Sequence, residues 1–139
     1  MPADISDRCD AIEACYEYML GYAGQGLPAD QDSASSQEIR RYLEGAAQAL
    51  MGLAGSYEQA VRELNLGPRE KYQAFLAVLD RDARDALAAI ELALAQPTIS
   101  SQLIDNLNAS LHIRALLTDL FLIDEILQTR KRDERVVTS

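Results

Sequence analysis

A chain of 139 residues with 48% hydrophobic and 25% charged side chains, four prolines and seven glycines is built for one globular domain with its own core, which excludes disordered, collagen-like and disulfide-stapled classes. Its net charge of −9 excludes the concentrated basic surface that nucleic acid requires: residues 1–38 carry eight acids against Arg8 alone, and the basic tail "TRKRDER" is interrupted by Asp133 and Glu134. The opening "MPADISDRCDAIEAC" lacks the basic and apolar regions of a secretory signal, and the longest purely apolar run between Ser110 and Leu127 is "LFLI", far short of the ~18–20 residues that cross a bilayer. A cytoplasmic protein with no membrane and no nucleic-acid partner is expected.

Four segments carry helical periodicity and none alternates as a strand does, so the expected class is all-α. The first helix is predicted over 5–22, capped by Asp4 or Ser6. Its apolar line runs through Ile5, Cys9, Ile12, Tyr16, Met19 and Ala23, with Cys15, Tyr18 and Tyr22 beside it. Cys9 and Cys15 lie ~120° and ~9 Å apart on such a helix, too far for a disulfide, and are expected as reduced, buried thiols. "GQGLPADQDSA" then forms the one long loop, at 24–34.

The second helix is predicted over 36–66. Ile39, Leu43, Ala46, Leu50, Leu53, Tyr57, Ala60 and Leu64 alternate spacings of four and three, as a packed seam does. A parallel row of small residues, Gly45, Ala49, Gly52 and Ser56, predicts close approach of a neighbouring helix; the alternative is that Gly52 and Gly55 mark a kink. "LGP" at 66–68 ends this helix and starts the third, over 68–95, with Tyr72, Leu76, Leu79, Ala83, Leu87, Ile90 and Leu94 inward. "DRDARD" within it offers Asp80 to Arg84 and Arg81 to Asp85 as i,i+4 pairs on a solvated face.

The fourth helix is predicted over 100–131, ~50 Å long at 1.5 Å per residue. Short connections between such rods give an antiparallel up-down-up-down four-helix bundle over residues 1–132, followed by a flexible tail at 133–139. On a helical wheel, Ile104, Leu107, Leu111, Ala115, Leu122 and Ile126 share one arc. Ile113, Leu116, Leu120, Ile123 and Leu127 occupy a second arc roughly opposite, and Leu103, Leu117 and Phe121 a third sector. One arc suffices for a bundle core. The second predicts a homodimer in which Ile113, Leu116, Leu120, Ile123 and Leu127 cover themselves across a two-fold axis.

Chemistry has little purchase in this sequence. The single histidine, His112, excludes di-iron carboxylate sites, and the CxxC, GxGxxG, Walker and GxSxG patterns are absent, so neither metal nor cofactor is expected. His112 shares a polar strip with Asp105, Asn108 and Asp119, of which only Asn108, at i−4, could hydrogen-bond to it. The expected function is therefore non-enzymatic: a protein-interaction module acting as adaptor, regulator or assembly chaperone, with a homodimer and another protein as partners. The alternatives are a histidine phosphotransfer module centred on His112, where "HIRAL" supplies a following base in Arg114 but no glycine, and a bundle that binds a small ligand among its six tyrosines.

Overall fold

The structure, a computed structural model, describes residues 3–25 and 34–138, with side-chain surroundings for 4–25, 34–110 and 113–130. It is all-α: six helices and, among the described residues, no strand. They are α1 (Ala3–Gly24), α2 (Ala34–Leu50), α3 (Leu53–Glu63), α4 (Arg69–Leu94), α5 (Ser101–Ala109) and α6 (Leu111–Thr138). Six replace the expected four because the second and fourth predicted helices are each broken once, and α6 runs on to Thr138 through most of what was expected as a tail.

The first break falls at Gly52, whose φ of 76° and ψ of 11° lie in the left-handed region that glycine enters without a Cβ penalty. Of the row of small residues, Gly52 thus serves the turn. A Cβ on Gly45 would meet nothing within 4 Å, Gly52 is exposed at the turn, and Ser56 bonds through its hydroxyl to Asp4; Ala49 alone is buried in the core. The carbonyls freed where α2 ends are taken by Arg8 of α1, which donates from Nη1 to Ala49 O at 2.9 Å and to Met51 O. Arg40 of α2 repeats the device at the end of α4, donating to Leu94 O at 3.0 Å and Gln96 O at 2.6 Å. A guanidinium suits a helix C-terminus because it satisfies orphan carbonyls and opposes the negative end of the dipole.

Helix α3 ends in a Schellman arrangement: Leu66 N–H reaches Val61 O at 3.1 Å, Asn65 N–H reaches Arg62 O at 3.0 Å, and Asn65 takes a φ of 52°. Asn65, two residues before Gly67, is the residue in the left-handed position. Pro68 stands just outside α4 as its N-cap.

The second break, at Ser110, changes the reading of the whole C-terminal region. Its extended backbone (φ −64°, ψ 138°) separates α5 from α6 and resets the helical phase. On one straight helix Ile104 and Ile113 would point about 180° apart; here both are buried. Ile113, Leu116, Leu120, Ile123 and Leu127, expected at a dimer interface, all lie in the core of the single chain, on a face whose helix packs against α4. Leu122, expected inward, is the residue that emerges. The surplus apolar arc came from wrapping two differently phased helices on one wheel.

Elsewhere the seams fall where the periodicity puts them. Ile39, Leu43, Ala46, Leu50, Leu53, Tyr57 and Ala60 are buried, as are Leu76, Leu79, Ala83 and Ile90 of α4. The C-terminal end of α1 is tied to the start of α5: Tyr22 Oη donates to Ile99 O and Ser101 Oγ to Tyr22 O, both at 2.6 Å. Ser100 caps α5 by accepting from Leu103 N–H at 3.1 Å. Asp80 and Arg84 form the expected surface pair at 2.8 Å.

Candidate functional site

Two of the regions flagged in the sequence give no geometry. His112 stands in the first turn of α6 with its side chain outside the described ones, and residues 26–33 of the expected 24–34 loop lie outside the described residues. Asn108, the one residue placed to bond His112, is buried in α5, and its Oδ1 has no hydrogen-bond partner among the described groups.

The notable surface is the seam between α1 and α6. Helix α1 packs on α2, α3 and α5, and α6 packs on α4 and α5, but α1 and α6 make no extended backbone approach to each other. Between them runs a groove of about 630 Å³. Its α1 wall is Glu13, Tyr16, Glu17 and Leu20, and its α6 wall is Arg114, Leu117, Thr118 and Phe121. Both sets have the spacing i, i+3, i+4, i+7, which places four side chains on one helix face. Leu117 is buried and Tyr16 half-buried, forming the floor, whereas Leu20 is 48% and Phe121 59% exposed at the rim. Thr118 Oγ1 spends its donor on Arg114 O in its own helix, at 2.9 Å, and leaves its methyl to the groove.

The charge of this groove is lopsided. Asp10, Glu13 and Glu17 follow one another along α1, and none has an ion-pair partner among the described residues. Partial burial pushes the Glu13 carboxyl up, helped by repulsion from Asp10, Asp124 and Glu17. Arg114 is the one base on the walls.

One end of the groove is closed by a polar clasp. Tyr57 Oη of α3 donates to Asp124 Oδ1 of α6 at 2.6 Å, and Cys9 Sγ of α1 lies 3.1 Å from the same Oη and 3.9 Å from Asp124 Oδ2. Because the single phenolic proton goes to the carboxylate, the one thiol proton of Cys9 faces both acceptors, Tyr57 Oη and, at the longer distance, Asp124 Oδ2. Burial raises the Asp124 carboxyl, and the bonds from Tyr57 and Cys9 oppose that rise. Burial also raises Tyr57, and it pushes the Cys9 thiol up to about 11 and that of Cys15 to about 12. Nucleophilic and metal-binding cysteines are thiolates, whereas burial keeps both of these protonated at neutral pH.

A second titratable contact lies between α4 and α6. The Asp119 carboxyl is raised to about 7, first by burial and then by hydrogen bonding to and repulsion from Asp82. Its Oδ2 is sealed from solvent. Two carboxylates alone make a proton-sharing pair, and no group of three or more potential metal ligands forms among the described residues.

Neither rim residue of the groove was marked as functional by the sequence reading. Phe121 was assigned to a third apolar sector, and Leu20 lay off both lines of α1. The available signal was that Leu20 fits no seam of its own helix. No helix is long and apolar enough to cross a membrane among the described residues. Comparison with known proteins finds no family model, no curated protein and no solved structure that matches the chain.

Proposed function

We propose that this chain is a non-enzymatic protein-interaction module, an adaptor, regulator or assembly chaperone, working as a bundle in which α2 with α3 and α5 with α6 each serve as one rod of four. The observation that carries the reading is the groove between α1 and α6, with Leu20 and Phe121 presented on opposite walls above an apolar floor. Exposed large apolar side chains gathered in a groove mark interaction surfaces, and a seam between two helices is the usual seat of a third. Protonated, buried thiols support the non-enzymatic part of the reading. The small-ligand alternative is weakened by the central cavity beside Met19, Leu50, Ile90 and Leu116, which is about 10 Å³, no more than one water.

The homodimer expected from the sequence has lost the face on which it was to be built, so a second copy becomes one possible occupant of the groove rather than a separate interface. Photo-crosslinking tests the proposal. A benzophenone amino acid placed at Leu20 or at Phe121, in the cells that make the protein, should give a discrete adduct that the same probe at Val78 of α4 does not. An adduct at twice the chain's 15.3 kDa identifies a second copy. No adduct at either groove position, or the same products from Val78, overturns the proposal.

A further inference from the structure

We infer that the occupant of the α1/α6 groove is a cationic amphipathic helix of another protein, laying its apolar stripe between Leu20 and Phe121 and its lysines or arginines along Asp10, Glu13 and Glu17. The inference rests on the interaction reading above and adds the chemistry of the partner.

Shape supplies the first argument. Two helices without an extended backbone approach, each offering i, i+3, i+4, i+7 positions to the gap between them, form the cradle of a helix-in-groove complex. The floor of Tyr16 and Leu117 is apolar and continuous with the core, so an apolar stripe seated there completes a packing that α1 and α6 leave unfinished.

Charge supplies the second and chooses among occupants. Glu13 and Glu17 stand four residues apart on the α1 wall with Asp10 one turn before them, none with an ion-pair partner among the described residues, against the single base Arg114 on the opposite wall. Basic side chains flanking an apolar stripe would neutralise this row, whereas acidic ones would meet like charge. A second copy carries the same net charge of −9 and would be repelled by this row, as would an anionic membrane surface.

Two synthetic helical peptides of about five turns, sharing one leucine stripe and flanked by lysine in one and glutamate in the other, separate the possibilities. Binding to the full chain is read by fluorescence anisotropy and mapped by amide chemical shifts. The lysine peptide should bind, shift residues 13–20 and 114–121, and weaken as salt rises. The glutamate peptide should bind at least about tenfold more weakly, and Glu13→Lys with Glu17→Lys should reverse that order. Phe121→Ser should weaken the lysine peptide about tenfold without reversing the preference. Equal binding of the two peptides, shifts mapped to another face, or a charge-reversed variant that keeps the original preference overturns the inference. Crosslinked adducts at Leu20 and Phe121 alongside any of those results would leave the interaction module standing and remove only its cationic partner.

Discussion

Helix α1 has one closed side and one open side, and the contrast shows what it takes to shut a helical seam. Towards α2, Tyr18 stacks on Tyr42 with ring centroids 4.3 Å apart, small Ala11 and Ala14 face Gly45, and Arg8 is anchored on the far helix's last carbonyls. Towards α6 there are no small residues to draw the backbones together. The clasp of Cys9, Tyr57 and Asp124 fastens one end, α5 takes the place of α6 at the other, and the stretch between stays open. Leaving Leu20 and Phe121 about half exposed forgoes roughly half of the ~1.5–3 kcal/mol that full burial of each would supply, a noticeable fraction of a small domain's stability.

The sharpest way to break the contrast uses two consecutive residues of α6. Leu120 is 1% exposed against the chain's own core and Phe121 is 59% exposed over the groove. Leu120→Ala should cost about 2–5 kcal/mol in chemical denaturation, whereas Phe121→Ala should stay within about 0.5 kcal/mol. Comparable losses at both positions would mean that the open side is packed after all.

That pair also locates where the sequence was legible. Seams of α2 and α3 could be read residue by residue because the break at Gly52 keeps nearly the same face inward: Ile39 to Leu50 and Leu53 to Ala60 are buried in one unbroken four-and-three rhythm. The break at Ser110 does the opposite. No proline or glycine announces it, so a single wheel over 103–127 produced an apolar arc too many and a dimer face that is in fact core. Leu20 and Phe121 were hidden by the same cause, since whether a seam closes depends on how two helices meet and not on the pattern of either one.

The clasp is the next lever. Tyr57→Phe removes the donor to a half-buried carboxylate and the acceptor of the Cys9 thiol without changing the packed ring, and should cost about 1–3 kcal/mol. It should also widen the groove at its closed end, seen as faster amide exchange around Asp124. Unchanged stability would mean that the clasp does not set the spacing of α1 and α6. Gly52→Ala acts on the closed side and should cost about 1–2 kcal/mol, all of it backbone: φ is 76°, yet the added Cβ would meet Arg8 Nη2 at an ordinary 3.9 Å. An unchanged stability there would mean that α2 and α3 can join into one helix.

The smallest effect concerns the other side of α6, where it packs on α4 and the Asp82 and Asp119 carboxyls meet. The Asp119 carboxyl titrates near 3.8 when free and at about 7 when folded. Well below pH 3.8 it is protonated in both states and makes no difference to stability. Between those values the folded chain holds a proton that the unfolded chain releases, so stability falls as pH rises, and above about pH 7 the loss levels off because both forms are ionised. Asp119→Asn keeps the shape and discards the charge. It should match the wild type well below pH 3.8 and exceed it at pH 8 by an amount on the order of 1 kcal/mol, since solvent screens a partly exposed pair. A difference that does not change between pH 4 and pH 8 would show that this closed seam carries no shared proton, and that its tightness owes nothing to the pair.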